Sequence, residues 1–339
     1  MTPRRLLLRI LFLIAVMALL VLGGYLAWFQ SWRAAQMLDL AARSEVVNLP
    51  AGEMEFAVRG SGNPVLIFHS APGGYDQGLV LGGFLEEEGF QIIVPSRPGY
   101  LRTPLATGPT PENQAEATAQ LLDYLEIPHA SVIGLGWGAS AAIEFAKNFP
   151  DRASALVLVS AATLETPPAT GIPFPQALAD QIGGDAASDG FLKNAARDPE
   201  KALGKAFDLT SSGGAVERLT WIDSVIQKPS ELERFQDLLS SLTPQSPREM
   251  GEGNDLVQPL SSIRSLKTPT LLVQGANDKV VPTGSGERSR LAPAEILTMP
   301  SQGHLVLLGR GASDTSRRIV DFLHLHPSAE TRDDPTNGK

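Results

Sequence analysis

A mainly parallel α/β sandwich, interrupted by an inserted helical cap and preceded by one membrane-spanning helix, is the fold class that the 339 residues predict. Three observations carry the prediction. Residues Ile10 to Phe29 contain no formal charge, and as a helix they are long enough to cross a hydrocarbon layer of about 30 Å. Beyond them, short runs rich in Val, Ile and Leu alternate with helical stretches, the pattern of buried parallel strands under covering helices. Between Ala161 and Leu266 that rhythm stops, and the insertion is too long for a plain connection between two strands.

Residues 1–9 carry Arg4, Arg5 and Arg9, whereas only Arg33 lies close behind the apolar stretch. The positive-inside tendency therefore makes 1–9 a cytoplasmic flank, 10–29 the transmembrane helix and 30–43 a juxtamembrane segment, with the remaining chain outside the cytoplasm. Trp28, Phe29 and Trp32 suit the far interface. A cleaved secretory signal is the competing reading; the apolar core is longer than such signals use and no A-x-A site follows it. Strands are expected at Val65–His69, Gln91–Pro95, Ser131–Leu135, Ala155–Ser160, Thr270–Gln274 and Glu295–Met299. Glu53–Arg59 reads as an edge strand with a partner near Glu45–Leu49, and Glu112–Leu125, Ala139–Asn148 and Ser313–Leu325 read as helices. The core is then 44–162 and 266–326, the cap 163–265, and the polar, proline-containing stretch 327–339 a disordered tail.

Composition removes several function classes. Cysteine is absent, which excludes disulfides and a thiolate nucleophile. A net charge of −9 argues against nucleic acid as a partner. No phosphate-binding glycine loop of either common type is present, the five histidines have no metal-ligand spacing, and no cofactor is expected.

Five ordered segments, each at an expected strand end, carry a family resemblance: His69-Ser70-Ala71-Pro72-Gly73-Gly74, Ser96-Arg97-Pro98-Gly99-Tyr100, Gly134-Leu135-Gly136-Trp137-Gly138, Gly275-Ala276-Asn277-Asp278 and Gly303-His304. Over about residues 44–326 the chain resembles the α/β-hydrolase family, and within it the serine hydrolases of lactonase, esterase and proline-aminopeptidase type, whose substrates are small acyl compounds. The resemblance implies a nucleophile elbow G-x-S-x-G at Gly134–Gly138, where Gly136 replaces the attacking serine and leaves that position without an atom that can attack a carbonyl. It implies Asp278 as the acid that orients His304, His304 as general base, and the backbone N–H groups of Ala71 and Trp137 as oxyanion donors.

Other polar residues carry less. Ser140 lies one helical turn beyond the elbow and does not share its tip. His69 and Arg97 read as structural, and His129, His324 and His326 as surface or packing residues. Ser70 departs from the family's common His-Gly pair, and its hydroxyl is a nucleophile only if it faces His304.

Three readings stand at this point. The first is a membrane-tethered relative of serine hydrolases with lost or strongly reduced ester hydrolysis, which binds a small acyl compound as ligand. The second is an inactivated variant that regains activity when serine replaces Gly136. The third is an active ester, lactone or amide hydrolase in which His304 activates a water held in the space that the missing serine side chain leaves beside His304.

Overall fold

The computed structural model describes residues 3–169, 182–264, 266–282 and 294–327. The chain divides into two units, residues 1–43 and the remainder from Ser44 onward.

The first unit is one continuous helix, α1 (Pro3–Ala42). Its most apolar window has a mean hydropathy of 2.8, so by length and composition it can cross a membrane; an N-terminal secretory signal meets the same criteria. No change of structure marks the boundary expected at Phe29, because Gln30 to Ala42 contain neither Gly nor Pro and continue the helix.

The second unit is built on an eight-stranded sheet of order β1-β2-β4-β3-β5-β6-β7-β8. The strands are β1 (Glu45–Leu49), β2 (Gly52–Arg59), β3 (Asn63–Phe68), β4 (Phe90–Pro95), β5 (Ala130–Leu135), β6 (Ala153–Val159), β7 (Thr270–Gly275) and β8 (Glu295–Met299). β1 and β2 form a hairpin, β2 runs antiparallel to β4, and every other pairing is parallel. All six residues of β5 are buried, as are all six of β7, which is why these segments read as unbroken apolar runs rather than alternating ones.

Helices cover both faces. They include α2 (Tyr75–Gly82), the short α3 (Phe84–Glu87), α4 (Pro111–Tyr124), α5 (Ala139–Asn148) and, near the end of the described chain, α11 (Ala312–Leu325). α4 starts where Thr110 Oγ1 accepts the Asn113 N–H at 3.2 Å and Pro111 occupies the first turn. Phe68 and Leu66 from β3, Val132 from β5, Leu158 from β6 and Ile143 and Phe145 from α5 are buried in one apolar cluster. Each such side chain contributes about 1.5–3 kcal/mol of hydrophobic burial.

Between β6 and β7 the chain leaves the sheet and forms the helical cap: α6 (Asp185–Arg197), α7 (Pro199–Thr210), α8 (Ala215–Ile226), α9 (Pro229–Ser240) and α10 (Glu249–Val257). Leu203, Phe207, Trp221, Ile222, Val225, Phe235 and Leu239 give the cap an apolar cluster of its own, which Leu308 joins from the core. Residues 170–181 and 265 of the expected cap and 328–339 of the expected tail lie outside the described residues.

The order β4-β3-β5 fixes where a ligand can bind. The chain moves from β3 to β4 on one side and then returns past β3 to β5 on the other, so β3 and β5 flank a topological switch point. In open α/β sheets the crevice beyond the carboxyl ends of such strands is the usual ligand site. His69 and Ser70 follow β3 there, and Gly136 follows β5.

Candidate active site

The loops after β7 and β8 bring an acid and a histidine together. His304 Nδ1 lies 2.9 Å from Asp278 Oδ2, and both side chains are buried. Asp278 Oδ1 accepts the backbone N–H groups of Val280 at 2.8 Å and Val281 at 2.9 Å, so each carboxylate oxygen has a fixed task. A carboxylate held this way keeps the proton of a neutral His304 on Nδ1 and leaves Nε2 as the basic nitrogen.

Position comes from backbone packing around the pair. Asn277 N–H donates to Gln302 O at 2.8 Å and Ala276 N–H to Met299 O at 2.9 Å, which ties the acid loop to the histidine loop. Ser160, at the end of β6, donates its hydroxyl to His304 O at 2.6 Å. From the cap, the C-terminus of α7 closes over both loops: Thr210 O accepts the N–H of His304 at 2.9 Å, and Ser211 pairs with Asp278 as an isolated bridge. The roles of Ser160, Thr210 and Ser211 are not legible in the sequence, because their contributions are backbone contacts or a single hydroxyl in Ser- and Thr-rich surroundings.

The elbow has the backbone of a nucleophile turn. Gly136 has φ +48°, a left-handed conformation that glycine adopts without the strain a side chain imposes. At Gly138 a Cβ would run into the carbonyl oxygens of Phe68 and His69, so the absence of a side chain lets the elbow pack on the end of β3. An ideal Cβ on Gly136 would stand 4.0 Å from His304 Nε2. The elbow tip therefore faces His304 Nε2.

The water reading places a solvent molecule in the space that the missing side chain leaves beside His304. Ser70 takes the part of that space next to the elbow: a Cβ on Gly136 would overlap Ser70 Oγ and stand 3.0 Å from Ser70 Cβ. Serine placed at 136 with Ser70 present would meet the same overlap, so a single Gly136→Ser change does not simply rebuild the elbow. The Trp137 N–H points to Ser70 Oγ at 3.4 Å.

The loop carrying Ser70 and Ala71 is braced from below and above. His69 is buried at its base; its Nε2 accepts the Arg97 N–H at 2.9 Å and its Nδ1 lies 2.8 Å from Ser70 O, which identifies a neutral ring protonated on Nδ1. Burial first, and then the Arg97 charge, hold its pKa well below the usual histidine range. Ser70 N–H donates to Gln77 Oε1 at 2.8 Å.

Above the loop, Arg248 from the cap is fully buried. It pairs with Asp76 through Nη2–Oδ2 at 2.8 Å and Nη1–Oδ1 at 3.1 Å, and donates to Gly73 O at 2.7 Å. Arg97 makes a second buried pair with Asp255 of α10, its Nη1 2.7 Å from Oδ1, and the Tyr100 hydroxyl donates to the same carboxylate at 2.6 Å. Arg97 thus holds loop and cap together and does not line the cavity beside His304. Neither Asp76, Arg248 nor Asp255 stood out in the sequence, because their partners are 172 and 158 residues away.

Other candidates lie elsewhere. Ser140 is buried in α5 and accepts the Ser261 N–H at 3.2 Å. His129 lies against Asp151 O at 2.7 Å, while His324 and His326 pack on Phe90 and Phe322. Among the described residues no group of three or more His, Cys, Asp or Glu side chains could hold a metal ion.

Ser70, Ala71, Gly136 and His304 open onto a cavity of about 110 Å³ whose far wall is cap: Leu209 of α7, Phe235, Leu238 and Leu239 of α9, and Leu242. None of its described lining residues is Asp, Glu, Lys or Arg. Such a volume holds several water-sized spheres, or a short apolar chain.

A parallel sheet capped between β6 and β7, with an elbow after β5, an acid after β7 and a histidine after β8, defines a class before any comparison is made. The alpha/beta hydrolase fold family matches residues 63–310, and the chain belongs to that family. It is similar to the uncharacterized hydrolase YcgS of Bacillus subtilis, 29% identical over an alignment of 301 residues that covers 83% of this chain and 98% of that protein. A 2-hydroxy-6-oxononadienedioate/2-hydroxy-6-oxononatrienedioate hydrolase of Paraburkholderia phymatum is 26% identical over 84% of this chain and 96% of its own. Among solved structures, an alpha/beta hydrolase fold protein from Nakamurella multipartita superposes with a TM-score of 0.73 at 28% identity, covering 83% of this chain and 98% of that one.

Proposed function

We propose that the protein is a hydrolase of small, neutral acyl compounds such as short esters and lactones, with His304 as general base, Asp278 as its orienting acid, and the Ala71 and Trp137 N–H groups as oxyanion donors. The observation that carries this reading is the fully engaged Asp278–His304 pair, 2.9 Å apart, beside an elbow whose tip faces the base. A protein kept only for ligand binding has no need of a base aligned on the elbow, so the pair favours catalysis over loss of activity. The similarity to proteins named as hydrolases supports the same choice.

Substrate polarity follows from the wall. A carboxylate moved into the Leu- and Phe-lined cavity would lose its hydration and find no cation among the described lining residues. This separates the protein from relatives named for dienedioate substrates. The expected result is turnover of butyrate- or hexanoate-sized neutral esters and none of the corresponding monoesters of dicarboxylic acids, which keep one free carboxylate. Equal rates on both, measured with purified full-length protein in detergent, would refute the apolar-substrate assignment.

α1 serves as a membrane anchor in this reading, with the hydrolase unit on the non-cytoplasmic side because the arginines gather before the apolar stretch. Protease added to intact cells or spheroplasts is expected to digest the hydrolase unit; complete protection until the membrane is broken would reverse the orientation.

A further inference from the structure

We infer that the nucleophile has moved across the site: the Ser70 hydroxyl, on the loop after β3, takes the place of the serine that Gly136 lacks. The inference rests on the hydrolase reading above and deepens it. Its geometric basis is that Ser70 Oγ stands where a side chain at the elbow tip would begin. The side chain that an elbow serine would begin at Gly136 overlaps Ser70 Oγ, and that same Cβ position stands 4.0 Å from His304 Nε2. Ser70 and His304 line one cavity, and Ser70 is partly exposed, so its hydroxyl is open to substrate.

The two loops have exchanged residues in a complementary way. Where related hydrolases have glycine after the loop histidine and serine at the elbow, this chain has Ser70 after His69 and Gly136 at the elbow. Either change alone would be unfavourable. Serine at both positions would overlap, and glycine at both would leave no hydroxyl. Together they keep one hydroxyl at the tip of the cavity.

The oxyanion donors survive the exchange with their origins reversed. A serine hydrolase draws one N–H from the residue after its nucleophile and the other from the facing loop. With Ser70 as nucleophile, Ala71 is the residue after it, and Trp137 belongs to the facing elbow. The Trp137 N–H, 3.4 Å from Ser70 Oγ, marks how close that donor lies to the attacking atom. Gln77 Oε1 accepts the Ser70 N–H at 2.8 Å, and His69 Nδ1 lies against Ser70 O at 2.8 Å, so the backbone that carries the hydroxyl is fixed on both sides.

In the reaction Ser70 Oγ attacks the acyl carbon while His304 Nε2 takes its proton, and the carbonyl electron pair moves to an oxygen held by the Ala71 and Trp137 N–H groups. Collapse of the tetrahedral species breaks the ester C–O bond, and the leaving alkoxide takes the proton from His304. Water then attacks the acyl-Ser70 ester and gives a proton to His304. Release of the acid returns that proton to Ser70 Oγ.

The test treats full-length protein with a fluorophosphonate and maps the adduct by peptide mass, beside steady-state and burst kinetics with a p-nitrophenyl ester. The expected results are an adduct on Ser70, a burst of about one equivalent, and a fall in turnover of at least about 10³-fold in Ser70→Ala with adduct and burst lost. The paired exchange Ser70→Gly with Gly136→Ser is expected to move the adduct to residue 136. Wild-type turnover with no burst and no adduct, or turnover that persists in folded Ser70→Ala, would overturn the inference and leave attack by water as the hydrolytic route. An adduct on Ser70 without ester turnover would uphold the nucleophile and reject the hydrolase reading. Neither adduct nor turnover would reject both.

Discussion

Asp278→Asn is expected to lower kcat on neutral short esters by on the order of 10⁴-fold while leaving KM and thermal stability close to wild type. The substitution preserves the shape of the side chain and the acceptor that holds Val280 N–H and Val281 N–H at 2.8 and 2.9 Å. What changes is the group facing His304 Nδ1 at 2.9 Å, which becomes an amide donor. The imidazole must then accept on Nδ1 and carry its proton on Nε2, where it can no longer take one from an attacking oxygen. Steady-state kinetics on a single ester, with unfolding followed in parallel, separates this tautomer effect from damage to the loop. A fall of less than tenfold would mean that contacts other than Asp278 set the orientation of the His304 ring.

Arg248→Ala is expected to destabilise the hydrolase unit by about 3–5 kcal/mol, the cost of leaving one member of a buried ion pair without its partner. Asp76 is buried at 7% exposure, so water cannot take over the role of the guanidinium. The carbonyl of Gly73 loses its donor as well, and Gly73 belongs to the loop that presents Ser70 and Ala71. Chemical unfolding of full-length protein in detergent reads the effect. Replacing both partners, Arg248→Met with Asp76→Leu, is expected to recover most of the lost stability because no buried charge then remains. A double variant no more stable than Arg248→Ala would place the cost in packing or in the backbone bonds to Gly73 and Pro244 instead of the charge.

The strands and the order of the site residues were legible because they are local. β3 to β7 are buried over most of their length, β8 is the half-buried edge strand, and all six lie within a residue or two of their expected bounds, since a buried parallel strand needs an apolar run and glycine or polar residues to end it. Gly136, Asp278 and His304 were singled out by the resemblance to the α/β-hydrolase family, which rests on motifs at strand ends in a fixed chain order. Ser70 was different. Its importance depends on a side chain reaching an elbow 67 residues away, and nothing in the His69–Gly74 segment encodes that reach. The place of Ser70 beside Gly136 was hidden for the same reason: glycine reports the loss of a side chain at one position and is silent about which neighbour lies against it. Arg248 and Asp255 were missed because a buried ion pair across the cap interface has the same composition as two surface charges, and only the fold distinguishes them.

The N-terminal helix presents the opposite case. Its length and hydropathy are plain in the sequence, and α1 is continuous from Pro3 to Ala42. Those properties carry the anchor proposal, while the catalytic proposal depends on the second unit alone.

Hydrolysis of one neutral short-chain ester by purified full-length protein, compared with His304→Ala in the same detergent, tests the central claim most directly. Wild type is expected to turn the ester over well above the uncatalysed rate, and His304→Ala to lose at least the ~10⁴-fold expected for Asp278→Asn. Equal rates in the two proteins, or no turnover by wild type across neutral esters and lactones that enter the cavity, would contradict it.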